Sequence, residues 1–198
     1  MSKRSPAHGR PGHTVTLTDP KTIRALAHGA RLAVIDELYA GRELTATECA
    51  EIAGLSPSAM SYHLRSLEKA GIVERAPSSG DGRERPWRRA GEHLMIDAGD
   101  SPMGSAASAA LTHTVLGRVS SQLDEWVAAR PNEDPAWHDL GGVTNDQLWV
   151  TVDELQELTD QVRALFDAYQ ERDGAKNLPD GARRVRVGLY VVPRPHGN

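Results

Sequence analysis

Between residues 20 and 71, apolar positions recur at helical spacing in short blocks separated by Gly, Pro or hydroxyl residues. Ile23, Leu26 and Ala27 make the first block, opened by Asp19-Pro20, and Leu32, Ile35 and Leu38 make the second. The third begins at Leu44-Thr45-Ala46-Thr47-Glu48, where Thr45 and Glu48 have the spacing of a capping box, and it stops at Gly54. Only Leu55 separates it from the fourth, Ser56-Pro57 to Ala70. Ser56 suits the N-cap and Pro57 the first helical position, where a missing N–H costs nothing. Gly71 is placed to end that helix in a left-handed conformation.

At 100° per residue, Met60, Leu64, Leu67 and Ala70 fall on one flank of the fourth block. Ser58, Ser61, Tyr62, Arg65 and Lys69 fall on the other. One side is predicted core. The opposite side is small, hydroxyl-bearing and basic, the kind of surface a recognition helix offers to the major groove of DNA. Two capped helices joined by so short a Gly-containing turn predict a helix-turn-helix. The competing reading, a helical hairpin inside a larger all-α core, would rarely leave Ser58, Ser61, Tyr62 and Arg65 on one side.

Ile72 to Ala76 then reads as a short strand, Pro77 to Gly82 as a turn cluster, and Arg83 to Ala90 as a return strand. A hairpin directly after such a helix is a wing. Arg83, Arg85, Arg88 and Arg89 suit contacts to phosphates or the adjacent minor groove, and Trp87 is predicted to pack the wing against the domain.

With these elements in place, residues 19 to 93 resemble the winged helix-turn-helix domain of ArsR-type (arsenical-repressor-like) bacterial transcriptional regulators. The run ALAHGARLAVIDEL at 25 to 38 is similar to the family's "LAHPxRLxIL" helix, with Gly29 where the family often has Pro. SPSAMSYHLRSLEKAGIV at 56 to 73 is similar to its "SxSxxSxHLxxLxxAGLV" recognition helix. The resemblance implies base-reading positions at Ser56, Ser58, Ala59, Ser61, Tyr62 and Arg65. His63 matches the family's His and sits at the border of the apolar flank, where a phosphate contact and a packed, hydrogen-bonded role both fit.

The net charge of −4 argues against a DNA binder only until it is divided. Residues 1–93 carry 14 Lys/Arg against 11 Asp/Glu, whereas residues 94–198 carry 9 against 16. A basic face can therefore coexist with an acidic body. A single cysteine, Cys49, excludes a disulfide framework and fits a reducing cytoplasm. No apolar run approaches ~18 residues and the N-terminus lacks an apolar h-region, so neither a membrane span nor a signal peptide is predicted.

In the second half, Leu111, Val115, Leu116, Val119, Leu123 and Trp126 mark a helix over 105–129, the usual place for a dimer seam and similar to the family's dimerising terminal helix. Residues 131–143 read as a loop and 147–151 as a strand. A helix over 152–172 carries its own capping box, Thr151 to Glu154, and a stripe of Leu155, Leu158, Val162, Leu165, Phe166 and Tyr169. Strict alternation over 184–192 predicts a half-buried strand with Val185, Val187, Leu189 and Val191 on one face. Two strands alone are marginal, so further pairing is expected, including across a dimer interface.

The chain thus divides into a flexible tail (1–18), a winged helix-turn-helix domain (19–98), a linker (99–104) and a dimerisation or effector-sensing region (105–198). The fold class is mainly α (α+β): the winged domain, a long helix, and a small strand-helix-strand module. The expected function is a homodimeric repressor on a palindromic double-stranded operator. Trp126, Trp137, Trp149, Phe166 and Tyr169 fit a simple core first, as aromatics at helical spacing usually do, and a pocket for a small-molecule effector as the second reading. No cofactor or metal is expected, because thiolate sites need clustered cysteines and His113 has no second His in its helix. No phosphate loop, nucleophile elbow or paired-His zinc helix points to an enzyme. The alternative is a winged-helix protein-interaction module without DNA binding, which would show no salt-dependent affinity for duplex DNA.

Overall fold

The computed structural model describes residues 13–77, 85–170 and 178–194. After a short strand β1 (Thr14–Leu17), four helices follow: α1 (Pro20–Leu26), α2 (Gly29–Tyr39), α3 (Ala46–Ala53) and α4 (Pro57–Lys69). Each break has a local cause. The Asp19 carboxylate accepts from the Thr22 N–H at 2.9 Å and starts α1. His28 is extended and separates α1 from α2, so the break forms with Gly29 in the place where the resembled family often has Pro. The capping box of α3 is complete, with the Thr45 hydroxyl on the Glu48 N–H and the Glu48 carboxylate on the Thr45 N–H. Gly54, at a φ of 63°, reverses the chain, and the Leu55 N–H returns to the Ala50 carbonyl at 2.9 Å. The end of α4 repeats this arrangement at Gly71, with the Ile72 N–H on the Leu67 carbonyl.

These turns fold the amphipathic faces onto one core. Ile23, Leu26, Val34, Leu38, Leu44, Cys49, Met60, Leu64, Leu67 and Ile72 are all at most 2% exposed. The wing follows as β2 (Val73–Arg75) and β3 (Trp87–Arg89), paired antiparallel with Glu74 opposite Arg88. Leu44 bridges to Trp87 through two backbone hydrogen bonds and ties the wing to the start of α3. A further strand, β4 (His93–Ile96), pairs in parallel with β1. This pairing draws Thr14–Leu17, the last part of the expected tail, against β4, with Leu17 buried. Their partner lies nearly 80 residues away, beyond the reach of any local pattern.

The linker leads into α5 (Pro102–Ala129), whose first turn is capped by the Ser101 hydroxyl on the Gly104 N–H. At Gly104 a Cβ would stand 2.1 Å from the Ala98 carbonyl oxygen, so only glycine permits the approach. The base of α5 packs on α1, and Ala107 and Leu111 enter the core. A 3-10 turn (Arg130–Asn132), a one-turn helix α6 (Pro135–His138) and α7 (Val152–Gln170) complete the order.

The class is as expected: mainly helical with a little sheet, in a winged helix-turn-helix followed by a long helix. Three local predictions need correction. The expected loop at 131–143 contains α6, started by Asp134 with Pro135 at its first position. The expected strands at 147–151 and 184–192 are absent: neither segment joins a ladder among the described residues. Alternation makes a segment fit to be a strand, but a strand exists only through pairing, and here each backbone lacks a partner edge. So the helix of the strand-helix-strand module forms, and its flanks do not pair.

Candidate nucleic-acid interface

The structure builds this surface from α4 outward. Ser56 caps the helix, its hydroxyl accepting from the Ala59 N–H at 3.3 Å and lying 3.1 Å from the Ser58 hydroxyl. Met60, Leu64 and Leu67 anchor the inner face. Ser58, Tyr62, Arg65 and Lys69, at intervals of three and four, form an exposed outer stripe, flanked by half-buried Ala59 and Ser61. Tyr62 is 65% exposed, so its phenol is presented to solvent.

His63 takes the packed of the two roles open to it. Arg31, only 9% exposed, donates from Nε to His63 Nδ1 at 3.0 Å and from Nη1 to the Ala25 carbonyl at 2.5 Å. Accepting at Nδ1, the neutral ring carries its proton on Nε2. The His28 ring lies 4.9 Å away. Burial, and after it the charges of Arg31 and His28, hold the His63 pKa below the usual histidine value. Arg31 therefore ties α4 to the end of α1, a role that sequence reasoning missed. The available signal was an arginine within the buried stretch of α2.

The wing arginines differ in their freedom. Arg83 lies outside the described residues. Arg85 is exposed. Arg88 donates twice to the Glu74 carboxylate across the hairpin, at 2.8 and 2.6 Å, so part of its charge is already answered. Arg89 reaches the Tyr39 carbonyl at 3.4 Å. Arg75, not singled out in the sequence, stacks 3.8 Å above the Trp87 ring and donates to the Arg85 carbonyl. Trp87 is buried as expected, although among the described residues no acceptor meets its indole N–H.

Comparison with known proteins agrees with this geometry over its central part. Residues 26–76 match the helix-turn-helix domain family. No curated protein matches the chain. Among solved structures, a MarR family protein of Mycobacterium tuberculosis in complex with salicylic acid shares 20% identity at a TM-score of 0.31, covering 74% of this chain and 85% of its own. The heme sensor protein PefR, in complex with heme and carbon monoxide, shares 17% at a TM-score of 0.31, covering 80% and 86%.

The residues expected to serve dimerisation or effector binding do not gather at one place. Leu111 and Val115 pack inward, against this chain's own core. Val119, Leu123 and Trp126 are half-buried along α5. Trp126 meets Arg130 and Gly141, whereas Trp137 lies under Arg183, which also pairs with Glu133. Trp149 is fully exposed. Phe166 lines a trough on α7, and Tyr169 is 66% exposed.

Four arginines converge instead on α2. Arg184 and Arg42 bond Glu37, while Arg186 and Arg118 bond Asp36. Arg184 above all, with Arg42, draws the Glu37 pKa down to about 2. Burial pushes the Cys49 thiol up to about 11, so it stays protonated and unreactive. Among the described residues no cluster of His, Cys, Asp and Glu could hold a metal ion, and no helix is long and apolar enough to cross a membrane.

Proposed function

We propose that this protein is a sequence-specific, double-stranded DNA-binding transcriptional regulator of the arsenical-repressor-like type, acting as a homodimeric repressor. One observation carries the reading: Ser58, Tyr62, Arg65 and Lys69 stand exposed in line on a helix whose other side is fixed in the core. That stripe is free to enter a major groove, with Arg65 on a guanine edge or a phosphate and the hydroxyls of Ser58, Ser61 and Tyr62 on base edges and backbone. Arg85, with Arg83 two positions before it in the sequence, would hold phosphates beside it. In a dimer the two α4 helices would meet half-sites about one helical turn apart, roughly 34–36 Å. A small-molecule effector would act by changing the tilt or separation of those helices.

Selection of bound sequences from a random duplex pool tests this directly. A palindromic consensus with salt-dependent affinity is the expected result. Recovery of no sequence, with no duplex binding even at low salt, would overturn the reading.

A further inference from the structure

Along α7, Val152, Leu155, Val162 and Phe166 face Leu189 and Val191 across a trough of about 440 Å³. Gln156, Thr159 and Arg163 interrupt this apolar lining, and among the described residues nothing fills the space between the walls. Two more apolar residues on the same face of the C-terminal segment, Val185 and Val187, are 62% and 64% exposed. On the alternate face, Arg184 and Arg186 are already engaged by Glu37 and Asp36. The segment is thus fixed by one face and unsatisfied on the other, and among the described residues its backbone joins no ladder.

We propose that a second copy of this chain covers that face, residues 184–192 of the two copies pairing antiparallel about Gly188. The register follows from the sequence. Centred on Gly188, Val185 stands opposite the partner's Val191 and Val187 opposite the partner's Leu189, so all four apolar residues pair. Centred on Val187, Val191 would face Arg183; centred on Leu189, Val185 would face Pro193. A shift of one residue in the pairing mixes the two faces altogether. Opposed Cβ atoms in such a pair lie about 4.5–5.5 Å apart. The partner's Val187 and Val185 would therefore arrive beside Leu189 and Val191, where the α7 trough is unfilled. Each α7 then packs across both strands, and the contact is isologous, as a twofold dimer requires.

The remaining details fit the same axis. Arg186 falls opposite the partner's Tyr190 on the second face, a favourable cation and aromatic pair. Gly188 sits at the centre, and Tyr190 lies over it, its hydroxyl 3.1 Å and its ring 3.2 Å from where a Cβ would stand. The inference rests on the homodimer in the proposed function and is independent of DNA binding.

Sedimentation equilibrium on the full chain tests it, with helicity by circular dichroism as the check on folding. The wild type should be a dimer at micromolar concentration. Val185→Asp with Val187→Asp should raise its dissociation constant by about a hundredfold or more, because two carboxylates would be desolvated. Leu116→Asp, on the exposed side of α5, should leave the dimer intact. A monomeric wild type, or a dimer that depends on Leu116 and tolerates the double change, would overturn the proposal.

Gly188→Cys, made together with Tyr190→Ala to clear the space over position 188, tests the register. Mild oxidation should link two copies through position 188, while Tyr190→Cys, placed opposite Arg186, should not link; the protonated, buried Cys49 does not compete. Equal cross-linking at 188 and 190, or none at 188, also counts against the register and the proposal. Failure of the wild-type dimer to bind DNA would refute the regulatory reading and leave the interface standing.

Discussion

Trp87 and Trp149 measure the contrast between the two halves of this molecule: one is 1% exposed and the other fully exposed. In the winged domain, almost every periodic apolar residue is consumed by contacts within the chain. In the C-terminal half, equally regular patterns remain open, with Leu158, Leu165, Tyr169 and the Val185–Val191 row all at least 38% exposed. The first half is a finished core carrying one deliberately polar helix face. The second is a set of half-built layers, whose exposed apolar row is what the proposed second copy would cover.

The sharpest test of this contrast is Leu64→Ala against Leu165→Ala. Leu64 is fully buried, so its truncation should cost about 2–5 kcal/mol in denaturant unfolding. A loss below about 1 kcal/mol would mean that the core is looser than described. Arg65→Ala comes next, with an expected loss of about 1–3 kcal/mol in operator binding and relaxed base preference, read from titrations against the selected consensus and its variants. Unchanged binding would remove α4 from the interface. Ser56→Ala deletes the cap and should destabilise by about 1 kcal/mol, read from the thermal midpoint.

Smaller still is the link between the halves. Glu37 normally titrates at 4.5 and here is held near 2, so its pairing with Arg184 contributes fully above about 4.5 and is lost as pH falls towards 2. Arg184 is more than half exposed, and solvent screening limits the contribution to about 1 kcal/mol or less. Stability of Glu37→Gln should fall less steeply with acid across that window than the wild type; identical slopes would deny the contact. Leu165→Ala should shift unfolding of the isolated chain by no more than about 0.5 kcal/mol. A large loss would show that α7 is already covered.

What could be read from the sequence follows the range of each interaction. The helices α1 to α5 and α7, their caps at Asp19, Thr45, Ser56 and Thr151, and the reversals at Gly54 and Gly71 are set by neighbours within a few residues, and their signals were explicit. The polar stripe of α4 was legible for the same reason. Pairing was not. Nothing local links Thr14 to His93, so β4 was missed. Conversely, residues 184–192 advertised a strand that meets no partner among the described residues. The Arg31–His63 bond, 32 residues apart, lay beyond periodicity as well, since a helical wheel shows which flank a residue occupies and not what it meets there.

The parallel register between Thr14 and His93 also constrains how the chain acquires its shape during synthesis. Strand β1 has no berth until Ile96 has been translated and released. The kernel of α1 to α4 compacts through its short-range turns, and its outermost seam closes last. A nascent chain stalled before that point would carry Val15 and Leu17 uncovered, an apolar edge waiting for the strand that shelters it.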